Sequence, residues 1–118
     1  MNRTLPNWRS LLYVPASEER FVAKAHERGA DAIILDLEDG VAPDSKARAR
    51  AGLAAAAASA RQNGADIVVR INRPLRMAAE DIAAAAAAGA DGVICTKMMG
   101  ADHVRLLSEL AAESELAA

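Results

Sequence analysis

Apolar and polar positions along this chain alternate between short β-prone runs and longer stretches with helical spacing. Three times Gly-Ala-Asp stands before such a run: "GADAIILDLED" from Gly29, "GADIVVRIN" from Gly64 and "GADGVICTK" from Gly89. Each copy follows a helical segment, over Glu18–Arg28, Ser45–Asn63 and Ala78–Ala88. Glycine just past a helix is the usual left-handed cap, and a short β-branched run after it reads as a strand buried on both faces. "SLLYVP", Ser10–Pro15, is a strand ahead of the first copy. "ADHVRLLSELAAESEL" after the last is a fourth helix, with Val104, Leu106, Leu107 and Leu110 on its apolar side. Four βα units in a row predict an α/β fold with a parallel sheet. Two architectures accept that order: a small open sheet, or the N-terminal half of a TIM (β/α)8 barrel, which takes about 250 residues when whole. In both, chemistry gathers at the C-terminal ends of the strands.

Side chains alternate along a strand, so parity sorts the charged residues. In the second strand Ala32, Ile34, Asp36 and Glu38 share one face, and Ile33, Leu35, Leu37 and Asp39 the other. In the third, Val68, Arg70 and Asn72 stand together, opposite Ile67, Val69 and Ile71. Lys97 follows "GVICT" at the equivalent end of the fourth. The strand ends thus gather carboxylates, a guanidinium, an amide and an ammonium. Carboxylates hold a divalent cation directly or through its waters, and the arginine fork matches a carboxylate in two parallel hydrogen bonds. That set suits an anionic oxo-acid with Mg²⁺. It also admits a structural arrangement, with Asp36 capping a turn and Glu38 paired with Arg70, which the joint placement of these residues at the strand ends disfavours.

Composition narrows the classes. The chain has 118 residues, 53% hydrophobic and 25% charged, with a net charge of −2, which suits one modest domain spanning 1–118. A near-neutral balance without a basic block argues against non-specific nucleic-acid binding. No segment approaches the roughly 20 apolar residues of a membrane span, and "MNRTLPNWRS" carries no apolar leader. The lone Cys95 cannot form an internal disulfide, which fits a cytoplasmic location.

"RSLLYVPASEERFVAKAHERGADAIILDLEDGVAPDSKARAR", followed by "VRIN", resembles the opening of the citrate lyase beta-subunit-like family, in the HpcH/HpaI aldolase superfamily. The resemblance covers roughly Arg9 to Lys97. It implies a (β/α)8 barrel that makes or breaks a carbon–carbon bond in the CoA thioester of a hydroxy-acid, such as citryl-, malyl- or citramalyl-CoA, with Mg²⁺. Carried over by position, Arg70 grips the substrate's carboxylate or oxo-acid end, with Asn72 and Lys97 as further substrate contacts. Glu38 and Asp39 stand beside the metal, acting through its water shell. Arg9, Arg20 and Lys24 match basic positions where a CoA phosphate is held. The resemblance places the direct metal ligands beyond residue 118, so no metal ligand is assigned in this chain, and no catalytic base. It also implies a homo-oligomer when the barrel is whole. Two positions depart from the family's "PK-x-E" after strand four: Thr96 stands for the proline and Met99 for the glutamate, while Lys97 is kept.

Other residues read as structural. Cys95 lies in an apolar strand as a small buried thiol. His26 favours a helix C-terminus, and His103 has no ligand set around it. Met98 and Met99 are packing or loop residues. Lys46, Arg48 and Arg50 form a solvated helix face within reach of a phosphate. Two rival functions remain: a half-barrel binding or assembly module without catalysis, and an aldolase of the same superfamily acting on free oxo-acids.

Overall fold

The computed structural model describes residues 5–114 and 116. Residues 1–4, 115, 117 and 118, which the expected domain, leader reading and fourth helix include in part, lie outside the described residues.

Four parallel strands form one open sheet in the order β1 (Leu11–Pro15), β2 (Ala32–Asp36), β3 (Asp66–Arg70) and β4 (Gly92–Ile94). Helices alternate with them: α1 (Glu19–Ala25), α2 (Lys46–Ala51), α3 (Leu53–Ala60), α4 (Leu75–Ala87) and α5 (Ala101–Glu113). This is half of a TIM-barrel-like arrangement, with sequential strands as neighbours. The Gly-Ala-Asp punctuation works as its chemistry suggests. Gly29, Gly64 and Gly89 all take positive φ, where a side chain would be strained, and each turns the chain from a helix into the next strand.

Alternation decides the layers. Ile33, Leu35, Ile67, Val69 and Val93 join Val22, Ala49, Leu53, Ala57, Ile82 and Leu107 in one apolar core between sheet and helices. Much of the helix side is alanine, which lets the helices lie close to the sheet but contributes little area per residue. The opposite face carries Tyr13, Ile34, Asp36, Val68 and Arg70, and the register sets Asp36 directly beside Arg70.

The first helix, expected over Glu18–Arg28, is shorter, at Glu19–Ala25, and two further boundaries differ for a clear physical reason. The helix expected over Ser45–Asn63 is two helices, α2 and α3, meeting at Gly52, with a 3-10 turn over Pro43–Ser45 before them. Glycine weakens a helix interior, and here it divides one. Helix α4 begins at Leu75 rather than Ala78, directly after Pro74, whose fixed φ suits a helix entry.

Candidate active site

The chain leaves β2 in the loop Leu37–Gly40, at the C-terminal end of the sheet. Asp36 is buried there, and both its oxygens are fully used. Oδ1 accepts from the Glu38 backbone N–H at 2.8 Å and from Arg70 Nε at 2.8 Å. Oδ2 accepts from the Gly40 N–H at 2.7 Å and from Arg70 Nη2 at 2.6 Å. A carboxylate offers about four acceptor positions, and all four are occupied. A Cβ at position 40 would come within 2.5 Å of Oδ2, so only glycine lets the backbone approach this closely. Burial alone would push the Asp36 carboxyl up, but the hydrogen bonds from Arg70, Glu38 and Gly40 outweigh it and hold it below the ordinary carboxylate value. The same contact with Asp36 pushes the Arg70 guanidinium further up. The Arg70 plane also lies over the Tyr13 ring, 4.6 Å from its centroid.

Glu38 is buried beside this pair, its carboxylate 3.7 Å from Arg70 Nε, and it forms a close ion pair with Lys97. Asp39 is exposed, with both oxygens 3.2 Å from Lys97 Nζ. Hydrogen bonds from Lys97 hold the Asp39 carboxyl low, and the same contacts to Glu38 and Asp39 raise the Lys97 ammonium. Among the described residues Lys97 is the one non-glycine with positive φ, at 51°. Such a backbone costs on the order of 1 kcal/mol and recurs at functional sites. It turns the chain after β4 so that the ammonium crosses to the loop after β2.

Of the residues expected at a site, the structure therefore brings together Arg70, Glu38, Asp39 and Lys97. Asn72 takes a different position. Strand β3 ends at Arg70, so the alternation that would set Asn72 beside it stops short. Its amide donates to the Leu37 carbonyl at 2.9 Å and to Asp81 Oδ2 at 2.8 Å, and its backbone N–H donates to the same Asp81 oxygen. Arg20 lies in the first turn of α1, stacked on Phe21, and Lys24 lies one turn later, near Glu27. Arg9 precedes β1 and sits at the opposite end of the sheet, with its guanidinium 3.8 Å from Asp31.

Three supporting residues escaped the sequence reading. Lys46, taken there for a solvated position, donates to the carbonyls of Leu37 and Glu38, at 2.9 and 2.6 Å, and so pins the carboxylate loop. Asp81 is buried in α4 and also accepts from Arg50 Nε at 3.0 Å. Its signal was available: Ala78, Asp81, Ile82 and Ala85 follow the apolar helical spacing, and an aspartate on that stripe needs partners. Tyr13, in the middle of β1, stands on the Arg70 face and meets its guanidinium. Cys95 is half-buried, and burial pushes its thiol up, which suits an inert packing residue.

The carboxylates also bear on a metal. Asp36 has no acceptor position left, and Glu38 and Asp39 share the Lys97 ammonium. Among the described residues no group of three or more His, Cys, Asp or Glu side chains makes a coordination set. Glu38 and Asp39 fit a divalent cation only through its waters. Among the described residues no helix is long and apolar enough to cross a membrane.

The sequence profile described as HpcH/HpaI aldolase/citrate lyase matches residues 9–117. The chain belongs to the HpcH/HpaI aldolase/citrate lyase family. Relatives named (3S)-malyl-CoA thioesterase, from Cereibacter sphaeroides strains ATCC 17025 and ATCC 17029, are each 38% identical over 104 residues. The match covers 87% of this chain and 36% of theirs, so the chain spans about a third of the length of these relatives. Within the family's fold, Arg70 and the Glu38–Asp39 pair stand at the strand ends where barrels of this kind carry their chemistry.

Proposed function

We propose that this chain supplies the N-terminal half of a carbon–carbon lyase acting on the CoA thioester of a hydroxy-dicarboxylic acid, such as malyl-, citramalyl- or citryl-CoA. The observation that carries this reading is Arg70, held at the sheet's C-terminal end with part of its fork turned to no protein partner among the described residues. In the cleavage direction the substrate's hydroxyl proton leaves and the bond between the carbinol carbon and the carbon next to the thioester breaks. Its electron pair passes into the thioester as an enolate, and an oxo-acid is released. Arg70 binds and orients the carboxylate of that oxo-acid. Lys97 carries positive charge beside the same end, held by Glu38 and Asp39. Arg20 and Lys24, on the helix that follows β1, are the basic residues for the CoA phosphates; Arg9, at the far end of the sheet, is set apart from them. Mg²⁺ belongs to this reading as a Lewis acid for the oxo-acid oxygens, with Glu38 and Asp39 meeting its water shell and its direct ligands lying outside the described residues. A cytoplasmic homo-oligomer without nucleic-acid or membrane partners completes it.

The relatives' name favours a second reading, hydrolysis of the thioester. One incubation separates the two. This half-barrel alone is expected to be inactive, so the full-length enzyme that carries it, and its Arg70→Ala variant, are mixed with (3S)-malyl-CoA and Mg²⁺, and the products are resolved by liquid chromatography. Glyoxylate with acetyl-CoA, lost in Arg70→Ala, supports the lyase; malate with free CoA supports the thioesterase. Bound but unchanged malyl-CoA in that full-length protein would refute both and leave a binding module. Turnover of free malate at the thioester's rate would instead favour a CoA-independent aldolase.

A further inference from the structure

The sequence leaves the first carboxylate of "LDLED" without a role beyond capping a turn. The structure gives it a geometry that a turn cap does not need. A guanidinium has a side-on edge, formed by Nε and one terminal nitrogen, and an end-on edge, formed by the two terminal nitrogens. Asp36 takes the side-on edge in two charge-assisted hydrogen bonds, of 2.8 and 2.6 Å. Tyr13 covers one face of the same plane, 4.6 Å away. With one edge and one face held, Arg70 keeps neither rotation about its long axis nor swing of its terminus. Among the described residues Nη1 has no hydrogen-bond partner, so the end-on fork is what remains for a ligand.

We infer that Asp36 is a positioning residue that fixes Arg70 so that only its end-on fork meets the ligand, which selects a planar carboxylate over a spherical anion. The inference rests on the reading of Arg70 as the anion-gripping residue and assigns the device that gives it selectivity. Asp36 is itself held by the backbone N–H groups of Glu38 and Gly40, so the fork's direction is set by the main chain of the loop. A guanidinium free to turn would meet chloride and carboxylate with less distinction, because the two parallel bonds to a carboxylate need a fixed plane.

The test uses oxalate as the planar probe and chloride as the spherical competitor, with binding to the whole chain followed by calorimetry. Asp36→Asn, which sets an NH₂ group against donors, and Arg70→Lys each weaken oxalate binding about tenfold, the scale of one charge-assisted contact. The double variant is no weaker than Arg70→Lys alone, and Asp36→Asn also loses most of the preference for oxalate over chloride. Losses that multiply to about a hundredfold would show Asp36 acting apart from Arg70 and overturn the inference. Oxalate affinity unchanged in Arg70→Lys, or no oxalate binding by the wild-type chain, would instead sink the reading of Arg70 on which it rests. Side-chain NMR of labelled arginine in the wild-type chain needs no variant to fold. Oxalate moves the Nη signals of Arg70 and leaves its Nε signal in place; a shifted Nε signal means that Asp36 lets go, and the inference fails.

Discussion

Aspartates stand at both ends of this sheet, and their shortest contacts differ in kind, although Asp31 and Asp91 also lie 3.8 and 3.6 Å from Arg9 and Arg61. At the N-terminal end the three Gly-Ala-Asp repeats deliver Asp31, Asp66 and Asp91. Asp31 accepts the backbone N–H groups of Arg9 and Ser10, Asp91 accepts that of Ile67 at 2.8 Å, and Asp66 accepts the Trp8 indole at 2.7 Å. These carboxylates tie one strand start to another. At the C-terminal end Asp36, Glu38 and Asp39 face Arg70 and Lys97, and only Asp36 also holds backbone. A carboxylate bound to main chain is fixed for as long as the fold persists. One bound to a lysine tip can exchange that partner for a ligand or a hydrated ion. In the proposed reading the same residue type therefore serves cohesion at one end and chemistry at the other, as barrels of this kind divide their two rims.

The contrast is sharpest at Asp36, which belongs to the chemical end yet is held like a structural residue. Asp36→Ala strands a largely buried guanidinium and two N–H groups, and should cost roughly 3 kcal/mol in urea unfolding, the largest effect expected here. A cost below that of a surface contact would place Asp36 with the exchangeable carboxylates. The pH dependence follows from the same bond. The folded carboxyl lies below its ordinary value of 3.8, so the unfolded chain takes up the proton first as pH falls. The stabilisation is complete above about pH 5 and is lost progressively below about pH 4. Urea midpoints measured from pH 6 to pH 3 should fall less steeply in Asp36→Asn than in the wild type, and identical slopes would contradict the assignment.

At the other end, Asp66→Ala should cost about 1 kcal/mol, one hydrogen bond's worth, and leave oxalate affinity unchanged. A loss of affinity there would break the division between the two ends. Lys97→Ala should give the smallest change in stability. Its ammonium is half-exposed, with 54% of the side chain accessible, and salt screens it. Added sodium chloride should shrink even that difference, whereas the Asp36→Ala cost should persist.

The layered fold was legible because its signals are local. Glycine after a helix and β-branched runs after glycine marked three of the four strands, and parity sorted the residues of each strand into two faces. What parity cannot give is register. The sequence suggested Glu38 as the structural partner of Arg70 and Asp36 as a turn cap, whereas the register sets Asp36 opposite Arg70 and gives it both hydrogen bonds, with Glu38 farther off at 3.7 Å. Asn72 was misplaced by extending alternation past a strand that ends at Arg70. The break at Gly52 was hidden by the alanines on either side, whose helix propensity runs through it. Lys46 and Asp81 act across long loops onto carbonyls and amides, and no pattern in the sequence names a carbonyl as a partner.

The position of Trp8 has a practical result. The chain's one tryptophan is anchored to Asp66 at the start of β3, and the strand puts roughly 15 Å between it and the Arg70 fork. Its emission therefore reports whether the strand starts are still stitched together, and stays dark to a ligand arriving at the far rim. The protein carries a built-in optical gauge of its own integrity, wired to the end opposite the Arg70 fork.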